Sequence, residues 1–364
     1  MLKHKKEVAH HLFLDMTKNQ IYESWKCFFI ERGLDEKYSR PYLVYIKKML
    51  SNGLPIIFET EHLSLLLGRS ASYLNSVAFS PSSHYRQFKL KKRSGGFRTI
   101  DVPYPALLEC QYWIYRNILS VVPLNYCAHG FVPKKSIITN AKVHLGQNVL
   151  LKLDIEDFFP SISKDRVIGV FNFLGYPPKV SYFLASLCCL NECVPQGAPT
   201  SPTLSNIISY NLDKRILAFS KNFELKYTRY ADDLAISGKN LPTKYIDYLR
   251  VIVEDEGFKI NVSKTQLFTR QSKRILTGVS IGSGKLKAPK EYKRVLFQEL
   301  FYIKKFGLNS HISKMKIRNP NYIQSLVGKL NYILSIEKDN FKAINYLNYL
   351  KENYNSQIIK IDIY

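Results

Sequence analysis

Three aspartates sit where an apolar strand does not ordinarily tolerate a carboxylate. Asp154 interrupts the run Val149-Leu150-Leu151-Lys152-Leu153-Asp154-Ile155, and Asp232-Asp233 form a doublet at the tip of a tight hairpin between two short apolar strands. A carboxylate beside a core is costly unless a cation or a metal neutralises it. Taken singly, an aspartate at a strand end is more often a cap or turn residue. Taken together, an acid ending one strand and a doublet in the neighbouring hairpin can converge within ligand distance. Oxygen-only ligation with several waters is what Mg2+ demands. Two such ions ~4 Å apart lower the pKa of a 3′-hydroxyl and stabilise a leaving pyrophosphate. The chemistry expected is nucleotidyl transfer.

The elements that must carry these acids follow from periodicity. Residues 1–80 read as several short helices with breaks at Gly33, Pro41, Gly53-Leu54-Pro55 and Pro81. Tyr85–Leu90 and Phe97–Val102 read as strands joined by a basic turn, Lys91–Gly96, with a helix from Pro105 to about Leu119. Asn148–Ile155 is a strand, followed by helices at 163–175, 178–190 and 200–221. The last keeps Leu204, Ile208, Leu212, Ile216 and Phe219 on one face. Leu225–Tyr230 and Leu234–Ser237 are strands, Thr243–Glu256 a helix, and Lys259–Phe268 extended. A further hairpin around Gly282-Ser283-Gly284 joins Leu276–Ile281 to Lys285–Ala288, and Pro289 suits the first position of a helix. The remaining 75 residues are helical, with Ile323, Leu326, Leu330 and Ile333 in phase. Interleaved strands, helices and antiparallel hairpins predict an α+β sheet of ferredoxin-like kind, then a separate basic helical module.

Composition narrows the partner. The chain has 364 residues with 53 Lys+Arg against 29 Asp+Glu, a formal net charge of +24. Hydrophobic residues at 46% exclude a disordered chain, and the charge argues against a neutral metabolic enzyme. A polyanion is the expected ligand, and 25 Tyr with 21 Phe supply stacking faces. No uninterrupted apolar run of ~18 residues exists, so no membrane partner is expected. The basic start Met1-Leu2-Lys3-His4-Lys5-Lys6 lacks a following apolar signal core, which predicts a cytoplasmic protein. Six cysteines form no CxxC pair. Cys188, Cys189 and Cys193 end an apolar helical stretch and are read as buried thiols, with metal binding the lesser alternative.

The chain also resembles a known family. Tyr230-Ala231-Asp232-Asp233 is similar to the YxDD box of reverse transcriptases, Leu153–Ile162 to their first palm motif, and Val194–Pro202 to their PQG–SP motif. The likeness runs from about Tyr85 to Leu334 and implies a right-hand polymerase with fingers, a ferredoxin-like palm and an all-helical thumb. The implied division is an N-terminal helical region at 1–84, fingers at 85–150 with part of 163–200, palm at 151–288, and thumb with C-terminal RNA-binding region at 289–364. By this resemblance Asp154, Asp232, Asp233 and the Ile155 carbonyl would hold two Mg2+ ions. Lys91 and Arg98, seven apart, would grip the triphosphate; the alternative is a solvated basic turn. Phe159 would gate against a ribose 2′-OH, or simply pack. Gln196 and Gly197 would line the same dNTP pocket, where glycine admits close backbone approach. Asn261-Val262-Ser263-Lys264-Thr265 resembles a later palm motif, making Lys264 a general acid or a charge clamp. Thr277-Gly278-Val279 matches the primer-grip region.

Within that family, bacterial retron enzymes, which belong to the group II intron-like superfamily, carry an NAxxH signature, and Asn140-Ala141-Lys142-Val143-His144 fits it. Their VTG element corresponds to Leu276-Thr277-Gly278, which departs at the first position. Asn140 and His144 at i, i+4 would share a helix face and hydrogen-bond RNA, or else cap a helix and fill its core. The resemblance implies a cognate structured noncoding RNA as partner, its single-stranded DNA product (multicopy DNA primed from an RNA 2′-OH), dNTP substrates and an effector protein in anti-phage defence. Lys285, Lys287, Lys290, Lys293 and Arg294, then Lys314, Lys316 and Arg318, form the basic cluster expected to meet RNA phosphates. The alternatives are a reverse transcriptase of a group II intron or abortive-infection lineage, or an idle RNA-binding antitoxin or scaffold. A nucleotide cyclase has no use for the finger pair or the basic thumb.

Overall fold

A computed structural model describes residues 16–92 and 95–354 of the chain. The basic start Met1–Lys6, and Arg93 and Ser94 of the expected basic turn, lie outside the described residues. In chain order the first elements are α1 (Lys18–Glu31), α2 (Glu36–Ser51), α3 (Thr60–Leu67), α4 (Ala71–Phe79), β1 (Tyr85–Lys91), β2 (Phe97–Pro103) and α5 (Pro105–Asn117). Next come α6 (Ile137–Val143), β3 (Val149–Asp154), α7 (Lys164–Leu174), α8 (Pro178–Cys188), α9 (Ser201–Ile208) and α10 (Tyr210–Asn222). Then follow β4 (Lys226–Tyr230), β5 (Asp233–Gly238), α11 (Lys244–Asp255), β6 (Gln266–Phe268), β7 (Ile275–Leu276) and β8 (Val279–Ser280). The last four are α12 (Lys290–Phe306), α13 (Leu308–Met315), α14 (Tyr322–Ile336) and α15 (Phe341–Tyr354).

The chain divides into two compact units: the first takes residues up to Asn125 together with Asp157–Tyr210, the second Tyr126–Glu156 and the chain from Asn211 on. In the first unit, Thr17 with Gln20, Asp35 and Ser70 cap the starts of α1, α2 and α4. Pro41 does not break the chain as expected. It is absorbed inside α2, where its ring removes one backbone donor. Helix α8 is buried on nearly every side and packs against α3, α4, α5 and α7. Gln111 of α5 donates to the Tyr85 hydroxyl at 2.7 Å and to the Leu187 carbonyl at 2.8 Å, tying the ribbon β1–β2 to this core. Cys188 and Cys189 lie in the interior, and burial pushes their thiols up.

The second unit is built on one antiparallel sheet in the order β4-β5-β3-β6. Asp154 pairs with Asp233 in the register of β3 and β5, and Tyr230 pairs with Asp233 across β4 and β5. Opposed residues share a face and the side-chain period is two. Leu150, Lys152 and Asp154 therefore share one face with Asp233, Ala235 and Ser237 and with Thr228 and Tyr230. Helix α6 packs on β4, β7 and β8. Ala141, Leu150, Ala235, Leu276, Val279 and Ile281 join in one buried apolar cluster beneath it. The C-terminal helices bury Leu296, Leu300 and Ile303 against Ile323, Leu326, Leu330 and Ile333, as the spacing predicts, and add Ala343, Leu347 and Leu350 from α15.

Three local expectations change. The single helix over 200–221 is interrupted at Ser209, which ends α9 with φ −80° and ψ 5°. The extended stretch 259–268 contains a 3-10 turn at Val262–Lys264, because Asn261 folds back to accept from the Lys264 amide. The strand expected over Leu276–Ile281 folds on itself: Thr277 and Gly278 both take positive φ, 44° and 87°, as a two-residue hairpin turn of the I′ kind requires. The expected turn at Gly282–Gly284 also forms, with Ser280 and Lys287 exchanging both backbone bonds.

Candidate active site

The acid doublet stands on a two-residue turn, Ala231-Asp232, between paired Tyr230 and Asp233. Ala231 takes φ +56°, a conformation that costs an alanine ~1–2 kcal/mol and that the surroundings must impose. Two devices do so. The segment Cys127–Gly130 runs alongside β4: the Arg229 amide donates to the Cys127 carbonyl at 2.9 Å and the His129 amide to the Arg229 carbonyl at 2.7 Å. Gly130 then approaches so closely that a Cβ there would stand 2.5 Å from the Ala231 nitrogen. From the other side the wholly buried Arg229 donates to the Ala231 carbonyl at 3.3 Å. Arg229 also makes a bidentate pair with buried Asp213 of α10, at 2.8 and 2.7 Å, which in turn accepts from the Tyr227 hydroxyl at 2.9 Å. Burial opposes the guanidinium charge, yet Asp213 outweighs it and holds the Arg229 pKa above its ordinary value.

Asp154 faces this turn. Opposed Cα atoms of such a pair lie roughly 4.5–5.5 Å apart, and the Ile155 amide donates to the Asp232 carbonyl at 3.0 Å. The Asp154 side chain is only 13% exposed, and its Oδ1 accepts from Lys264 Nζ at 2.7 Å. That bond, with the charges of Asp154, Asp232 and Asp233, raises the Lys264 pKa. The Asp233 pKa rises too: burial, then the neighbouring Asp232 carboxylate, push it up to about 6, while half-buried Lys152 on the same sheet face pulls it down. Among the described residues no three His, Cys, Asp or Glu side chains stand ready as a metal-holding group. One oxygen of the trio is engaged by Lys264 instead.

The residues expected at the nucleotide fall in the first unit. Gln196 accepts from the Asp101 amide at 2.8 Å, so the PQG segment lies along the edge of β2. A Cβ on Gly197 would stand 2.6 Å from the Asp101 carbonyl oxygen and 2.9 Å from Ile100 Cγ2, so only glycine fits. Lys91 opposes Phe97 and Arg98 opposes Leu90, which sends the two basic side chains to opposite faces of the ribbon. Arg98 shares the face of Ile100, against which Gly197 rests; Lys91 does not. Both are exposed. Phe159 is half-buried on a turn that starts at Asp157, φ +44°, with its ring 5.5 Å from that of buried Phe158.

The expected RNA contacts of the signature helix are not made by its side chains. Asn140, Ala141 and His144 are all at most 1% exposed. Asn140 donates to Thr277, and His144 bonds Ser237 and Thr228, because the helix lies face down on the sheet. Lys293 is likewise committed, to Glu337 at 2.6 Å. Lys285, Lys287, Lys290 and Arg294 remain on the surface, Arg294 beside Glu291. Gly130, Lys152, Asp213 and Arg229 were missed from the sequence. Arg229 and Asp213 stand among other polar and charged residues, Lys226-Tyr227-Thr228-Arg229 and Leu212-Asp213-Lys214-Arg215, so the sequence carried no signal for their burial.

A protein-family model described as reverse transcriptase (RNA-dependent DNA polymerase) matches residues 90–281. The retron Ec86 reverse transcriptase of Escherichia coli is 34% identical over 307 residues, 83% of this chain and 92% of that protein. The retron Se72 reverse transcriptase of Salmonella heidelberg is 32% identical over 303 residues, 80% of each chain. The retron Mx162 reverse transcriptase of Myxococcus xanthus is 32% identical over 316 residues, 75% of this chain and 65% of that one. With the acid doublet on its hairpin, Asp154 paired opposite and the glycine of the PQG segment against β2, the chain belongs to the retron reverse transcriptases, RNA-directed DNA polymerases.

Proposed function

We propose that Asp154, Asp232 and Asp233 are the reaction centre, and that the enzyme copies part of a cognate structured noncoding RNA into single-stranded DNA primed from an RNA 2′-OH. The observation that carries this reading is the register that sets Asp154 opposite Asp233, with the Ile155 amide donating to the Asp232 carbonyl at 3.0 Å, so that the three acids share one end of the sheet. A half-buried, oxygen-only cluster in mutual repulsion fits a hard divalent cation. The three side chains, with the Ile155 carbonyl, would hold two Mg2+ ions. Such ions, when bound, supply activation of the attacking hydroxyl and stabilisation of the leaving pyrophosphate. Lys264 then exchanges Asp154 for phosphate oxygen as its partner, acting as a charge clamp or proton donor. Arg98 and Lys91 would bind the triphosphate, Phe159 exclude the ribose 2′-OH, and Gln196 and Gly197 line the nucleotide.

The strand order β4-β5-β3-β6, with helices inserted after β3 and after β5, supports reading this sheet as a ferredoxin-like palm. On that reading β1–β2 belongs to fingers and α12–α15 to a thumb; exposed Lys285 and Lys287 just before α12, with Lys290 and Arg294 on it, meet RNA phosphates. An effector protein and a role in anti-phage defence follow from family membership alone. The test is direct. Asp232→Asn or Asp233→Asn abolishes dNTP incorporation while RNA affinity stays within twofold; synthesis at the full rate by either variant overturns the assignment.

A further inference from the structure

Five buried or half-buried polar side chains of the second unit form a chain in which each group's hydrogen-bonding capacity dictates that of its neighbour. Thr228 donates its hydroxyl to Asn140 Oδ1, which leaves the Thr228 oxygen to accept from His144 Nε2, 2.7 Å away. An imidazole protonated on Nε2 must accept at Nδ1, and Ser237 Oγ lies 2.6 Å from it. At the other end Asn140 Nδ2 donates to Thr277 Oγ1 at 3.3 Å. The bonds run one way, from Ser237 to His144, Thr228, Asn140 and Thr277, with no group reversed. Burial drives the His144 pKa down to about 3, so the neutral ring this order needs is the one present.

The two ends of this chain differ in what they hold. Ser237 and Thr228 belong to the strands of the acid doublet, and Thr228 lies one rung behind the Tyr230–Asp233–Asp154 row on the same face. Thr277 belongs to the β7–β8 turn. Its neighbour Gly278 gives its carbonyl to the Tyr332 hydroxyl of α14 at 2.7 Å, and a Cβ on Gly278 would stand 3.1 Å from that oxygen. Tyr332 in turn meets Tyr292 of α12 edge-on, with ring centroids 5.1 Å apart. Apolar side chains of the same shape would fill this volume equally well. A directed polar chain, which tolerates only one arrangement, adds specificity of position.

We infer that Asn140 and His144 are positioning residues: through Thr277 and Tyr332 they hold the β7–β8 turn and the helices α12–α15 in one place relative to the acids. Nucleic acid carried by those helices then arrives with its reactive hydroxyl at Asp154, Asp232 and Asp233. This rests on the reading of the three acids as the reaction centre.

The experiment is single-turnover extension of a DNA primer annealed to an RNA template by the full chain, with active sites counted from the burst amplitude. Thr277→Val keeps the β-branch and removes the hydroxyl. It is expected to lower the rate per active site at least tenfold, with the dNTP KM and the primer–template Kd within twofold of wild type. Thr277→Ser restores the rate to within threefold, and adding Thr277→Val to Asn140→Leu causes no further loss. An unchanged rate per active site in Thr277→Val, or a loss explained wholly by fewer active sites, overturns the proposal. Asp232→Asn runs in parallel. If it is inactive while Thr277→Val is normal, the positioning role alone falls; if it extends primers normally, the reaction centre is wrong and the positioning role falls with it.

Discussion

Asp233 holds its proton to a higher pH than a solvated aspartate because burial disfavours its charged form and the Asp232 carboxylate beside it adds repulsion. In metal-free protein the unfolded chain gives up this proton near pH 4 and the folded chain near pH 6. The stability that the protonated form contributes is therefore complete below about pH 4 and is lost as the pH rises through about 6. In EDTA at pH 7, Asp233→Asn should melt several degrees above wild type, a gain of roughly 1–3 kcal/mol, and at pH 4 the two should coincide. Thermal melts at the two pH values check it. Lys264 acts in the opposite sense. With its ammonium 2.7 Å from Asp154 and nearby acids to neutralise, Lys264→Ala should move the acidic limb of the pH–rate profile upward. Its exposed ion pair should contribute only ~0–1 kcal/mol to stability, which a denaturant titration would read.

The hairpin β4–β5 depends on groups that never reach the reaction. Gly130→Ala forces a Cβ into the Ala231 nitrogen, and backbone cannot yield as a flexible side chain would. The expected result is at least a tenfold fall in extension rate with a stability loss of ~1–3 kcal/mol, measured by kcat beside Tm. Asp213→Asn removes the charge that the wholly buried Arg229 needs, and breaking such a pair typically costs ~3–5 kcal/mol. That variant should lose cooperative unfolding at a markedly lower denaturant midpoint. The signature helix carries the same lesson. Its i, i+4 spacing was legible, but whether Asn140 and His144 faced solvent or sheet was not. The groups that bury them, Thr277 and Ser237, lie 137 and 93 residues away along the chain.

For the molecule as a whole, a net charge of +24 makes association with a polyanion strongly salt-dependent. If six or more phosphates are neutralised, RNA affinity should drop ~10³-fold or more between 50 and 200 mM salt. Replacing Lys285, Lys287 and Lys290 by Gln should lower the slope of log K against log salt by about one for each phosphate that is no longer neutralised. Lys293→Gln should leave that slope unchanged, because its ammonium is spent on Glu337. Binding titrations across the salt range separate the two outcomes. No helix among the described residues is long and apolar enough to cross a membrane, in keeping with the absence of an 18-residue apolar run.

The placement of Asp154 beside the Asp232-Asp233 turn, most of the strands and helices and the in-phase core of the last helices were readable from the chain. Each is encoded by near neighbours, through a motif, a period of two or a period of 3.6. Three things depended on which distant segment lands against a given residue: the burial of Asn140 and His144, the clasp of Gly130 and Arg229 on the acid turn, and the pairing of Lys293 with Glu337. A polar side chain has no preference of its own between water and a buried partner of matching capacity. Packing makes that choice, and packing is long-range.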